Sequence, residues 1–173
     1  ELLADLAERH DGVVSLDPNV RPLVIDDRER WLWFHDRWAA RAHVYRSSDE
    51  DTAWIWPNRD ESAWVGELLD ATARVVMVTR GSEGVSVYLS AGDSFHVPGR
   101  PVEVVDTVGA GDTFVGAVLA GLWDRGCARP EELDRLTARD WRAIAELGIA
   151  AAAVTCGREG ADPPTRDELD RAT

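Results

Sequence analysis

Nine residues constrain this chain more than any other stretch: Asp106-Thr107-Val108-Gly109-Ala110-Gly111-Asp112-Thr113-Phe114. The segment before them, Val102 to Val105, reads as a β-branched strand. The segment after them, Phe114 to Trp123, reads as an apolar helix whose Gly116, Ala117, Ala120 and Gly121 permit close packing. A strand running into a helix through Gly109-Ala110-Gly111 has too little side chain to cover the first helical amides. Those unpaired donors, together with about half a positive charge from the helix dipole, make a ready site for a phosphate or oxyanion. Asp112 then has two readings: a capping carboxylate in the first turn, or a general base beside the anion. The plain alternative for the whole segment is an ordinary strand-to-helix turn.

Charge narrows the partners. The chain carries 32 Asp+Glu against 19 Lys+Arg, a net charge of −13, and every one of its basic side chains apart from histidine is an arginine. Nucleic acid and anionic membranes are therefore not expected partners, and a phosphate loop built around a lysine is excluded. With 173 residues, 45% of them hydrophobic, the chain can bury a core of its own. It has no run of 18 apolar residues that would read as a membrane span. Cys127 and Cys156 are far apart and in no Cys-x-x-Cys spacing, which suggests a reduced, cytoplasmic setting.

Strand and helix patterns alternate. Helical spacing runs over Leu2 to Arg9, Asp26 to Arg41 and Arg59 to Ala71, with Trp31, Trp38 and Trp64 as packing residues. Val13 to Leu16, the start at Val44-Tyr45, and Val75 to Thr79 read as strands. Val85 to Leu89 and Ser94 to Val97 read as a hairpin across Ser90-Ala91-Gly92-Asp93. Further helices are expected over Asp112 to Arg125, Glu131 to Leu136 and Asp140 to Ala153, with a short one after Pro163-Pro164-Thr165. This alternation predicts an α/β fold: a mostly parallel sheet with helices on both faces and ligands at the carboxyl ends of strands. Trp54 and Trp56 flank a loop and could border a pocket. The four histidines fall in no metal-ligand spacing.

The segment Asp106 to Phe114 resembles the C-terminal signature of the ribokinase-like (PfkB) carbohydrate kinases. Four more segments match that family in order. Ser15-Leu16-Asp17-Pro18-Asn19-Val20-Arg21-Pro22 resembles its D-x-N-x-R segment, and Ser47-Ser48-Asp49-Glu50-Asp51 its acidic segment after a strand. Thr79-Arg80-Gly81-Ser82-Glu83-Gly84-Val85 is similar to its nucleotide turn. Thr155-Cys156-Gly157-Arg158-Glu159-Gly160-Ala161 resembles the loop near its adenine and monovalent-cation sites. The resemblance implies a three-layer αβα ribokinase-like fold. It also implies that residues 1–173 are the C-terminal nucleotide-binding and catalytic part of one such domain, the N-terminal sugar-binding and lid part being absent, so that the chain alone is expected to lack sugar-kinase activity.

The resemblance further implies ATP-dependent phosphorylation of a sugar or sugar acid, fructokinase-like or 2-keto-3-deoxygluconate-kinase-like, with magnesium and a potassium-like ion as cofactors. Asp112 would be the base, and the amides of Gly109, Ala110 and Gly111 would hold the charge on the transferred group. Thr79, Gly81, Gly84 and Thr155 would contact nucleotide; Asn19 and Arg21 would lie near the sugar or phosphate. Asp51 and Glu50 would serve the magnesium shell, although the family's usual Asn-x-x-Glu is Ser48 and Asp51 here, and an acidic helix N-terminus reads the same residues equally well. Asp106 and Val108 would border the monovalent cation. The full-length family member is expected to be a homodimer in some cases. The other readings are a nucleoside kinase of the same fold, or a catalytically silent nucleotide-binding or interaction module.

Overall fold

In the computed structural model, which describes residues 10–172, a five-stranded sheet is built in sequence order from β1 (Ser15–Leu16), β2 (Val44–Ser48), β3 (Val75–Thr79), β4 (Gly84–Leu89) and β5 (Ser94–Pro98). The pairs β1–β2 and β2–β3 are parallel; β3–β4 and β4–β5 are antiparallel. The hairpin turns where expected: Leu89 and Asp93 are bonded across it, and Gly92 takes φ +93°. The helices are α1 (Arg28–Ala39), α2 (Asp49–Ile55), α3 (Glu61–Ala71), α4 (Ala110–Trp123), α5 (Pro130–Leu133), α6 (Ala138–Cys156) and α7 (Arg166–Ala172). The helix expected over Leu2 to Arg9 lies outside the described residues.

Strand β3 explains the layering. Its successive side chains point to opposite faces, and Val75, Val76, Met77 and Val78 are all fully buried. Val75 and Met77 join Phe114, Val118 and Leu122 of α4 and Trp141 and Ile144 of α6 in one cluster. Val76 and Val78 join Ala39 of α1 and Trp64, Val65 and Leu68 of α3 in the other. Helices therefore cover both faces, as an uninterrupted apolar strand requires. Helix α4 lies close on α6, because Gly148 leaves room for the Phe114 ring: a Cβ there would stand 2.7 Å from it.

Two local expectations change, at residues 102–105 and at Trp54 and Trp56, while the helix N-terminus reading of the acidic segment holds. Residues 102–105 form no strand. Val102, Val104 and Val105 are exposed, and prolines at 98 and 101 remove donors just before them. Two amides, Val105 and Asp106, instead bond the Cys156 carbonyl. β-branched residues make a strand only where a neighbour pairs with them. The acidic segment, in turn, is the helix α2: Ser48 caps it by accepting the Asp51 amide at 3.1 Å, and Asp49, Glu50 and Asp51 fill its first turn. Trp54 and Trp56 are packed rather than lining a pocket. Trp56 stacks on Trp64 at 4.3 Å, and Trp54 meets Trp31 edge-on at 5.0 Å.

Candidate active site

The carboxyl ends of β1, β2 and β3 converge on the N-terminus of α4. Gly109 caps that helix with φ +77°, and no side chain satisfies the first turn. A Cβ on Gly109 would stand 2.7 Å from Ala161 Cβ, so both backbone angle and space require glycine there. The Ala110 amide, expected to be free, is spent on the Thr107 carbonyl at 3.2 Å. The Gly111 and Asp112 amides have no acceptor among the described residues, and they are the donors the turn offers.

Two cavities flank this turn. The groove on the strand side holds about 500 Å³ and is lined by Arg46, Glu50, Thr79, Gly81, Gly111 and Cys156 among others. The cavity on the other side holds about 400 Å³ and is walled by Asp112 with Gly109, Thr113, Ala161 and Arg166. The helix start therefore separates an anion-suited groove from the carboxylate proposed as base, and both reach the same turn.

Arg46 was missed in the sequence. Its guanidinium donates from Nη1 to Asp17 Oδ2 at 2.7 Å and from Nη2 to Thr79 Oγ1 at 2.5 Å, tying the ends of three strands together. It also lies against the turn: a Cβ on Gly111 would be 3.0 Å from Nη1 and 3.2 Å from Nη2. The available signal was an arginine inside β2, between the buried Tyr45 and Ser47. A charge so placed needs partners or a ligand.

The other candidates separate clearly. Thr79 and Gly81 line the groove, Gly81 with φ +49°. Gly84 lines it too, but its glycine is demanded by β5, since a Cβ would stand 2.1 Å from the Val97 carbonyl oxygen. Thr155 is not brought to the groove. It is fully buried, with Oγ1 3.0 Å from Thr113 Oγ1 and 3.3 Å from the Ala151 carbonyl, and Cys156 takes its place in the wall. Asn19, at φ +46°, and Arg21 are exposed on the loop after β1 and line neither cavity.

The two acidic candidates divide. Asp51 is buried and accepts the Val20 amide at 3.1 Å, so it pins the loop after β1; burial pushes its carboxyl above the usual range. Glu50 lines the groove and fits the modest carboxylate support that a nucleotide-borne magnesium takes, since that ion keeps most of its waters. Asp106 spends both oxygens on backbone: the Val108 amide at 3.0 Å and the Gly160 amide at 3.0 Å, which hold its carboxyl below the usual range. Its side chain is thus a brace between the turn and the loop after α6, leaving backbone carbonyls, Val108's among them, as what a monovalent cation would meet. Among the described residues no group of three or more His, Cys, Asp or Glu could hold a metal by itself, and no helix is long and apolar enough to cross a membrane.

A fold with its turn and groove at the carboxyl ends of strands is shared with known kinases. The pfkB family carbohydrate kinase model matches residues 2–168, and the chain belongs to that family. It is 41% identical over 115 residues to a fructokinase of Rhizobium leguminosarum bv. trifolii, covering 66% of this chain and 35% of that protein. It is 37% identical over 169 residues to a fructokinase of Klebsiella pneumoniae, covering 95% of this chain and 52% of that one. Among solved structures, a fructokinase with bound ATP from Xylella fastidiosa superposes with a TM-score of 0.89 at 23% identity, over 99% of this chain and 54% of its own. An aminoimidazole riboside kinase from Salmonella enterica does so with a TM-score of 0.78 at 22% identity, over 99% and 55%. The fold is therefore ribokinase-like. The chain spans about half the length, or less, of these relatives.

Proposed function

We propose that a protein carrying this chain phosphorylates a sugar hydroxyl with ATP, fructose being the first candidate because the relatives above are named fructokinases. The groove would take the nucleotide, with Thr79 and Gly81 beside its phosphates. The Gly111 and Asp112 amides would hold the γ-phosphoryl group at the start of α4. Asp112 would accept the proton of the attacking hydroxyl from the other side of the turn. In that step the sugar oxygen bonds to the γ-phosphorus, the bond to the β–γ bridging oxygen breaks, and ADP leaves. Magnesium held near Glu50 would neutralise charge on the phosphates.

One observation carries this reading: a helix N-terminus with two unspent amides stands between a groove of about 500 Å³ and a carboxylate. The test is ADP release with ATP, magnesium and a panel of hexoses, ketoses and sugar acids. In a protein that carries this chain at its relatives' length, sugar-dependent ADP release is expected, strongest with fructose, whereas the 173 residues alone are expected to give none. ATP binding without any sugar-dependent turnover would favour a silent nucleotide-binding module, and a preference for nucleosides a nucleoside kinase.

A further inference from the structure

Gly81 lines the groove at φ +49°, and nothing stands within 4 Å of where its Cβ would be. A glycine lets the backbone come close to a ligand, but it also has the most freedom to lose, and packing does not hold this one. Arg80, between Thr79 and Gly81, supplies the hold. Its amide bonds the Gly84 carbonyl at 2.8 Å and its carbonyl accepts the Glu83 amide at 2.9 Å, which closes the turn. Its side chain goes elsewhere. Alternation along β3 puts position 80 on the face of Val76 and Val78, the face covered by α3, and Arg80 does not line the groove. There Nη2 donates to both carboxylate oxygens of Glu61, the first residue of α3, at 2.7 and 2.5 Å. Nη1 donates to the Val78 carbonyl and to Ser86 Oγ, each at 3.2 Å, and the Tyr88 hydroxyl donates to Glu61 Oε1 at 2.5 Å. The Arg80 and Glu61 side chains are only 24% and 32% exposed, so this two-pronged pair is better held than a loose surface ion pair.

We infer that Arg80, with Glu61 and Tyr88 behind it, is the positioning residue of the nucleotide turn: anchored on the α3 face of the sheet, it sets where the Gly81 backbone stands in the groove. This rests on the nucleotide reading above. Because Glu61 opens α3, the turn takes its position from a helix packed on the face opposite α4 and α6. The carboxylate is well placed for this, since the N-terminal end of a helix favours a negative group. An arginine serves where a lysine would not, because one planar group reaches a carboxylate, a carbonyl and a hydroxyl at once.

The experiment measures ATP and adenosine affinities side by side for the unaltered protein, Arg80→Met, Arg80→Lys, Glu61→Gln and the double variant Arg80→Met/Glu61→Gln. Urea midpoints and exchange of the Glu83 amide, which bonds the Arg80 carbonyl, are followed in parallel. Arg80→Met should bind ATP about tenfold more weakly, the ordering cost of roughly one residue, with adenosine held within about twofold. Arg80→Lys and Glu61→Gln should lose less, and the double variant no more than Arg80→Met, since the two residues act as one unit. The Glu83 amide should exchange faster in Arg80→Met while β3 stays protected. If Arg80→Met fails to fold, Arg80→Lys decides by the same comparison. ATP affinity unchanged, whatever the urea midpoint does, would leave the cluster a structural tie and overturn the inference while the nucleotide reading stands. Equal losses for ATP and adenosine, or additive losses in the double variant, would overturn it in the same way. Unaltered protein that binds ATP no better than adenosine would overturn both.

Discussion

The two walls that meet at the start of α4 are joined by opposite chemistry. On the strand side the joint is a cation: Arg46 links Asp17 to Thr79, and its own charge faces a groove of about 500 Å³. On the loop side the joints are carboxylates that accept backbone amides: Asp106 takes Val108 and Gly160, and Glu168 takes Thr165 while pairing with Arg158. The first wall holds a positive group ready for an anion. The second spends its carboxylates on its own backbone amides and on Arg158. Under the proposed function, a polyanionic nucleotide would bind the first wall, and the second would shape the space. The difference also predicts what disturbs each wall: charge removal the first, acid the second.

The largest effect should come from the residue between the walls. Asp112→Asn keeps size and capping but accepts no proton, so turnover should fall by about 10²–10⁴ while ATP affinity stays nearly constant. Steady-state kinetics with a parallel binding titration check this, and near-normal turnover would remove Asp112 as the base. Next comes Gly109→Ala on the hinge of the loop wall. The left-handed backbone costs about 1–2 kcal/mol for a residue with a Cβ, and the approach to Ala161 adds to it. Urea denaturation should show the lowered midpoint; no change would mean the turn relaxes freely.

Gly111→Val tests the strand wall. Gly111 lacks the positive φ of Gly109, so its cost is contact with Arg46 rather than backbone strain. ATP binding should weaken about tenfold with adenosine binding spared, a difference of about 1.4 kcal/mol. Equal loss of both would indicate general unfolding instead.

The smallest effect is pH. Glu168 is held down to about 2, first by the Thr165 amide and then by Arg158. Asp106 is also lowered, by the Val108 and Gly160 amides. A carboxyl lowered in the folded state stabilises it above its ordinary value, about 4.5 for glutamate, and that stabilisation fades as pH falls towards 2. Amide protection at residues 157–165, corrected for the intrinsic exchange rate at each pH, should therefore fall in acid before that of β3 does. Simultaneous loosening of both would deny the contrast.

Much of this was legible in the sequence. Val75 to Thr79 announced a strand buried on both faces, and Gly109 to Asp112 announced an exposed helix start. What could not be read was long-range. Arg46 meets Asp17 and Thr79 from 29 and 33 residues away, and no local pattern predicts that meeting. Residues 102–105 misled because β-branching reports a liking for pleated surfaces, not the presence of a partner strand. Thr155 misled because a motif fixes position along the chain, while helix rotation decides which neighbour faces the groove. Here that neighbour is Cys156.

The central claim is that the start of α4 is where the terminal phosphate sits. A structure with a non-hydrolysable ATP analogue and magnesium tests it most directly. The account predicts the γ-phosphate oxygens within about 3 Å of the Gly111 or Asp112 amide nitrogens, with the nucleoside lying along the strand-side groove. A terminal phosphate resting against residues 157–165, with those amides untouched, would contradict it.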